Sequence, residues 1–147
     1  MAHSTLFQTH HLLLLPLHPG WLPKQQFIQQ VQFANKKTTE LVNTILENDP
    51  YPIIILQGDH GTAWNLNWAD PSKDDSWQRL RNLNAIYFPD PEKRNALLDD
   101  MTSVNTFRIV FNTYFGSDYE ILEDKLYWGT NHRPYNFKDV TEHVLNP

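Results

Sequence analysis

The sequence predicts an α/β fold from two features placed in succession. The first is an amphipathic stretch from Lys24 to about Asn48, and the second is the continuous apolar run Pro52-Ile-Ile-Ile-Leu-Gln-Gly58 directly after it. Apolar residues at helical spacing ask for a long helix, and an uninterrupted β-branched run between turn residues asks for a strand covered on both faces. Length sets the scale: 147 residues with 40% hydrophobic content, 8 Phe, 6 Tyr and 5 Trp are enough for one domain and not for two.

Taken in order, residues 1–23 form a poorly defined N-terminal segment, and 24–147 carry the domain. The segment holds His3, His10, His11 and His18, a short strand pattern at His11–Leu15, and turn signals at Pro16 and Pro19-Gly20. The histidines are read either as an independent metal-binding cluster or as part of a loosely packed terminus. The helix expected from Lys24 has Phe27, Val31, Ala34, Leu41 and Ile45 on one stripe, widened by Ile28, Val42 and Leu46. Asn48-Asp49-Pro50 ends it. The helix followed by a strand buried on both faces reads as half of a βαβ unit in a parallel sheet.

Thr62 to Leu83 reads as an irregular polar loop in which Trp64, Trp68 and Trp77 stand among Asp70, Asp74 and Asp75. The tryptophans are read as pinning the loop to the body, with a stacking platform for a sugar or base as the alternative. Asn84-Ala-Ile-Tyr-Phe-Pro89 is a second short strand. Thr102 or Ser103 caps a helix from Val104 to about Phe115, with Phe107, Val110, Phe111 and Tyr114 inward and Gly116 at its stop. A last strand is expected at Lys125–Trp128, followed by a tail holding His132, Arg133 and His143.

Composition narrows the function classes. Twelve Lys and Arg against 17 Asp and Glu leave a formal charge of -5, which argues against a surface built on nucleic-acid phosphates. With no cysteine, disulfides, thiolate metal sites and thiol nucleophiles are excluded. The run Leu12–Leu17 is broken by Pro16 and falls far below the roughly 20 residues of a membrane span. No basic region precedes it, so no export signal is expected.

Chemistry is expected first at Asp59-His60-Gly61, because ligands of open α/β sheets bind beyond the carboxyl ends of the strands. A carboxylate and an imidazole there can both reach one divalent cation if the chain turns at Gly61. A capping Asp beside a surface His is the plainer reading of the same triplet. Thr62, Thr102, Ser103 and Thr106 read as caps and loop hydroxyls rather than nucleophiles. Arg108 reads as a structural partner of Asp99, Asp100 or Asp118.

Several blocks resemble the C-terminal part of the sulfatase-like proteins of the alkaline phosphatase superfamily, in the lipoteichoic-acid-synthase-like branch. They are Ile53-Ile-Ile-Leu-Gln-Gly-Asp-His-Gly61 after Phe33-Ala-Asn-Lys-Lys37, Leu83–Pro89, Ser103–Gly116 and Pro134–Val140. The resemblance runs from about Gln25 to Thr141, and the block Asn105–Gly116 is its most specific part. It implies the C-terminal portion of an alkaline-phosphatase-like mixed or parallel sheet flanked by helices. It also implies a metal-dependent hydrolase or transferase acting on phosphate or sulfate esters. In such proteins Asp59 and His60 correspond to metal ligands for manganese, zinc, magnesium or calcium, and His18-Pro19 corresponds to a substrate-contacting His-Pro pair. The nucleophile and the first acidic ligand lie in an N-terminal half that these residues do not match. The expected function is therefore a partial domain, inactive alone; the alternative is a truncated, non-catalytic product or a binding module that pairs with a separately encoded N-terminal half. Relatives in this branch are membrane-anchored, whereas no anchor is legible here.

Overall fold

The computed structural model describes residues 24–63, 66–68, 77–99, 101–130 and 132–145. The histidines at 3, 10, 11 and 18, the strand pattern 11–15, Trp64 and the acidic residues at 70, 74 and 75 lie outside the described residues.

Among the described residues, four α-helices and two small antiparallel sheets make a mixed α and β structure. Helix α1 spans Lys24–Asn48, and its side toward the sheet carries Val42, with Ile45 and Leu46 half-buried. Strand β1, Ile54–Gln57, pairs antiparallel with β2, Asn84–Tyr87, in the register Ile54↔Tyr87, Ile55↔Ile86, Leu56↔Ala85 and Gln57↔Asn84. The parallel pairing expected for β1 is not what is found. The apolar run has a different cause: helices cover both faces of this two-stranded ladder. Ile54, Leu56 and Tyr87 pack on Val42, Ile45 and Leu46 of α1. On the opposite face Ile53, Ile55, Ile86 and Phe88 pack on Ile109 and Val110 of the helix α3, Ser103–Phe115. Alternation sends each apolar residue to one helix or the other, so a continuous run is required in either pairing direction.

Helix α3 buries a different face from the one its aromatic residues suggest. Asn105, Thr106, Ile109 and Val110 are buried, while Phe107 and Phe111 are exposed and Tyr114 is half-buried. The polar pair is inward because both side chains find partners there: the Thr106 hydroxyl accepts from Gln57 Nε2 at 2.8 Å, and Asn105 binds backbone. Asn105 is 0% exposed. Its Nδ2 donates to the Leu122 carbonyl at 2.8 Å and to Asp124 Oδ2 at 3.2 Å, and its Oδ1 accepts from the Leu122 amide at 3.0 Å. Two turns on, Asn112 repeats the pattern with both backbone groups of Tyr119 at 2.8 Å. Between them Arg108 Nη1 donates to the Glu120 carbonyl at 3.3 Å, a structural contact; of the acidic partners expected for it, Asp100 lies outside the described residues. One stripe of α3 thus stitches down the returning segment 119–124.

The return is made at Gly116, whose φ of 66° lies in the left-handed region that ends helices. Thr102 is the N-cap residue of α3, yet its hydroxyl does not cap its own helix; hydroxyl and amide both donate to Asp124 Oδ1 at 2.6 Å. Asp124 is therefore an anion already seated at this helix N-terminus.

The second sheet is the hairpin of β3, Tyr127–Thr130, and β4, Arg133–Asp139, with a register shift between Trp128 and Thr130. The strand expected at Lys125–Trp128 starts two residues later. Every residue of β4 is exposed, and among the described residues of the two strands Trp128 is the buried one. Trp128, Val140 and Val144 form a third cluster with Trp77 and Leu80 of the short helix α2, Trp77–Leu80. Val144 comes from α4, Thr141–Leu145. No helix among the described residues is long and apolar enough to cross a membrane.

Removing the buried clamp is expected to cost more than removing the exposed one. Asn105→Ala leaves the Leu122 amide and carbonyl without partners and should lower unfolding stability by about 3 kcal/mol, whereas Asn112→Ala, whose partners water can reach, should cost about 1 kcal/mol. Urea unfolding of the two variants measures both.

Candidate functional site

The segment after β1 continues the β1–β2 ladder. Gly58 donates its amide to the Leu83 carbonyl at 2.8 Å, Asn82 Nδ2 donates to the Gly58 carbonyl, and Gly61 donates its amide to the Arg79 carbonyl at 2.7 Å. Thr62, buried, donates its hydroxyl to Gln78 Oε1 at 3.0 Å and so tethers the strand end to α2. Residues 58–62 therefore lie against 78–83, and α2 occupies part of what the sequence presents as an irregular loop.

Gly61 is required here for close approach. Its φ is not positive, so a left-handed backbone is not the reason for glycine here. A Cβ at this position would run into the carbonyl oxygens of Gln78 and Arg81. Only a residue without a side chain lets the strand end meet the α2 backbone.

This seat brings the Asp59-His60 pair beside Arg79. Asp59 is 80% exposed and His60 31% exposed at their side chains, with His60 Nε2 3.4 Å from Asp59 Oδ2. On the other side of the ring, Arg79 Nη1 lies 2.6 Å from His60 Nδ1 and donates to the Gly61 carbonyl at 3.2 Å. The same carbonyl is 3.1 Å from His60 Nδ1. Guanidinium is donor only, so in this arrangement Nδ1 accepts and the ring proton sits on Nε2. Burial pulls the Arg79 pKa below its ordinary value, and the Asp59 carboxylate pushes it back up; the group remains a cation.

Trp68 completes this corner. The Arg79 guanidinium lies over its ring at 5.6 Å, the ring packs on Trp128 at 5.9 Å between centroids, and Trp128 Nε1 donates to the Trp68 carbonyl at 3.4 Å. Trp68 and Trp77 thus pin their loop to the third cluster, as the pinning reading expects. Asp59, His60 and Arg79 open into a cleft of about 930 Å³ whose other walls include Asn84, Thr102 and Lys125. Lys125 is tied to Glu123 at 3.0 Å, and that hydrogen bond raises its pKa. His132 and Arg133 are exposed on the hairpin. His143 is half-buried in α4, and its buried Nε2 has no hydrogen-bond partner among the described residues.

The donor set can be tested against a divalent cation. Ligand atoms 3.4 Å apart, each about 2.1 Å from one ion, subtend about 108° at that ion, close to the tetrahedral angle. While Arg79 donates to Nδ1, Nε2 carries the ring proton and has no lone pair for an ion; with Arg79 drawn off, the Gly61 carbonyl, 3.1 Å from Nδ1, would accept from Nδ1–H, the usual partner of an imidazole that ligates through Nε2. In that second arrangement Asp59 and His60 fit as two ligands. Among the described residues no group of three or more His, Cys, Asp or Glu side chains converges on a common point.

Arg79 and Asn82 carry no signal in the sequence, because four helical residues show no periodicity and neither belongs to a recognisable motif. The role of Gly61 yields a direct comparison. Gly61→Ala should destabilise by about 3 kcal/mol, the upper end of the cost of overpacking. Gly116→Ala should cost about 1 kcal/mol, since its added methyl meets open space and only the left-handed backbone is strained. Equal urea midpoints for the two variants would remove the close-approach argument. Compared with models of known families, with curated proteins and with solved structures, the chain matches none.

Proposed function

We propose that this chain is the later part of a sulfatase-like α/β domain of the alkaline-phosphatase type, in which Asp59 and His60 hold a divalent metal ion for cleavage or transfer of a phosphate or sulfate ester. The observation that carries this reading is the pairing of Asp59 Oδ2 and His60 Nε2 at 3.4 Å just past the end of β1, with the cationic Arg79 beside them. When bound, such an ion offsets charge on the transferring group and lowers the pKa of the attacking group. This chain's own residues supply the two ligands, and Arg79 is the donor that can meet an oxyanion with a planar fork. The nucleophile and the remaining acidic ligand belong to the mixed or parallel sheet that the resemblance calls for, so the isolated chain is expected to be inactive. The substrate-contacting role suggested for His18 is part of the same proposal. The ion remains open among manganese, zinc, magnesium and calcium.

A second reading, a non-catalytic module that pairs with a separately encoded N-terminal half, is favoured by the outer face of α3. Phe107, Phe111 and Phe115 follow one another at helical spacing, with ring centroids 6.3 and 5.6 Å apart, and Phe115 is 67% exposed. Uncovered aromatic rows of this kind mark interaction surfaces more often than free surface.

Thermal unfolding in the presence of manganese, zinc or magnesium separates the two readings. The metal reading expects at least one ion to raise the melting temperature of the wild-type chain, and Asp59→Ala to abolish the rise. If no ion raises it, the metal site is withdrawn for this chain and the module reading stands.

A further inference from the structure

We propose that Arg79 is an oxyanion-operated latch on His60. With no anion bound, its guanidinium holds the imidazole as the Nε2–H tautomer; an oxyanion that draws it away frees Nε2 to serve as a ligand. The metal half of this inference rests on the reading given above, and the latch itself does not.

The geometry carries the argument. Arg79 Nη1 lies 2.6 Å from His60 Nδ1 and 3.2 Å from the Gly61 carbonyl oxygen, and those two atoms are themselves 3.1 Å apart. Three groups share one corner, and two pairings differ in which ring nitrogen carries the proton. In the first, Arg79 donates to both atoms, Nδ1 carries no proton, and the proton on Nε2 blocks the lone pair that faces Asp59. In the second, Arg79 is elsewhere and Nδ1–H donates to the Gly61 carbonyl. Nε2 then presents its lone pair toward Asp59 Oδ2 at the spacing of a tetrahedral edge. The change moves one proton off Nε2 to solvent and returns one to Nδ1, so the net charge of the ring is unchanged.

An oxyanion suits the trigger. The guanidinium is partly desolvated, lies over the Trp68 ring at 5.6 Å and lines the cleft. A phosphate or sulfate group offers two acceptor oxygens to that fork, a stronger pairing than a neutral imidazole nitrogen and a carbonyl supply. The α3 N-terminus beside the cleft does not compete for the anion, because the Asp124 carboxylate already occupies it. Oxyanion and cation would then bind with positive coupling: each favours the same arrangement of His60.

The tautomer of His60 is directly measurable. Long-range proton–nitrogen correlation spectra of nitrogen-15-labelled, metal-free chain, taken at roughly pH 8, above the ordinary histidine range, distinguish Nδ1–H from Nε2–H, with His60→Gln to assign the signal. Wild type without anion should show Nε2–H, and inorganic phosphate or sulfate, added separately, should convert it to Nδ1–H. Whichever of the two converts it at lower concentration identifies the preferred oxyanion. Arg79→Ala should show Nδ1–H with or without anion. The same tautomer in wild type and Arg79→Ala, or a wild-type signal that neither anion moves, would overturn the latch; the wild-type titration decides this even if the variant does not fold. Manganese binding read by calorimetry then tests the coupling. Arg79→Ala should bind roughly tenfold or more tightly than wild type, the loss of a charged hydrogen bond, and sulfate should bring wild type toward that affinity. If the tautomer switches as stated but neither protein binds manganese, the metal reading fails and the latch stands.

Discussion

The contact between Gly61 and the backbone of α2 is the constraint on which the arrangement of this chain depends. Two peptide segments meet there without a side chain between them, fixed by the Gly61 amide on the Arg79 carbonyl and by the Gly58 amide on the Leu83 carbonyl. The contact converts a strand end into a site. It holds Asp59 and His60 outside the β1–β2 ladder and fixes the Arg79 side chain at the edge of the imidazole ring. It also connects the three apolar clusters of the described residues, because α2 supplies Trp77 and Leu80 to the cluster around Trp128, while β1 belongs to the clusters on α1 and α3.

The remaining elements act as walls around that seat. Helices α1 and α3 cover the two faces of the ladder, and Gln57 Nε2 ties the end of β1 both to Asn84 Oδ1 at 3.0 Å and to the buried Thr106 hydroxyl at 2.8 Å. The asparagine stripe of α3 fixes the returning segment, which leads into Lys125 and Trp128 on the far side of the cleft. A two-stranded ladder is marginal alone. Here each face is stabilised by a helix.

Much of this scaffold is legible in the sequence because local rules decide it. The stripe from Phe27 to Leu46 yields α1 with its observed ends, the β-branched run yields β1, and Gly116 ends α3 in the left-handed conformation. Pairing direction is not legible: an apolar run reports that both faces of β1 are covered, not how its neighbour runs. The inward face of α3 is misread for a related reason. Phe107 and Phe111 are apolar enough to suggest the core, but Asn105 is buried because its amide replaces two backbone partners, and side-chain hydrophobicity carries no trace of that. In the site, Asp59 and His60 are placed by the strand that precedes them. Arg79 enters through a tertiary contact that no local pattern encodes.

The central claim is that the Gly61 amide is bonded into α2 as firmly as the ladder itself, and amide hydrogen exchange of the wild-type chain tests it at one residue. The account predicts that the Gly61 amide exchanges as slowly as the hydrogen-bonded amides of Ile54–Gln57, since both open only when the ladder and its helices separate. Exchange of Gly61 at the rate of an unstructured peptide, with the ladder amides still protected, would contradict it and detach Asp59 and His60 from Arg79.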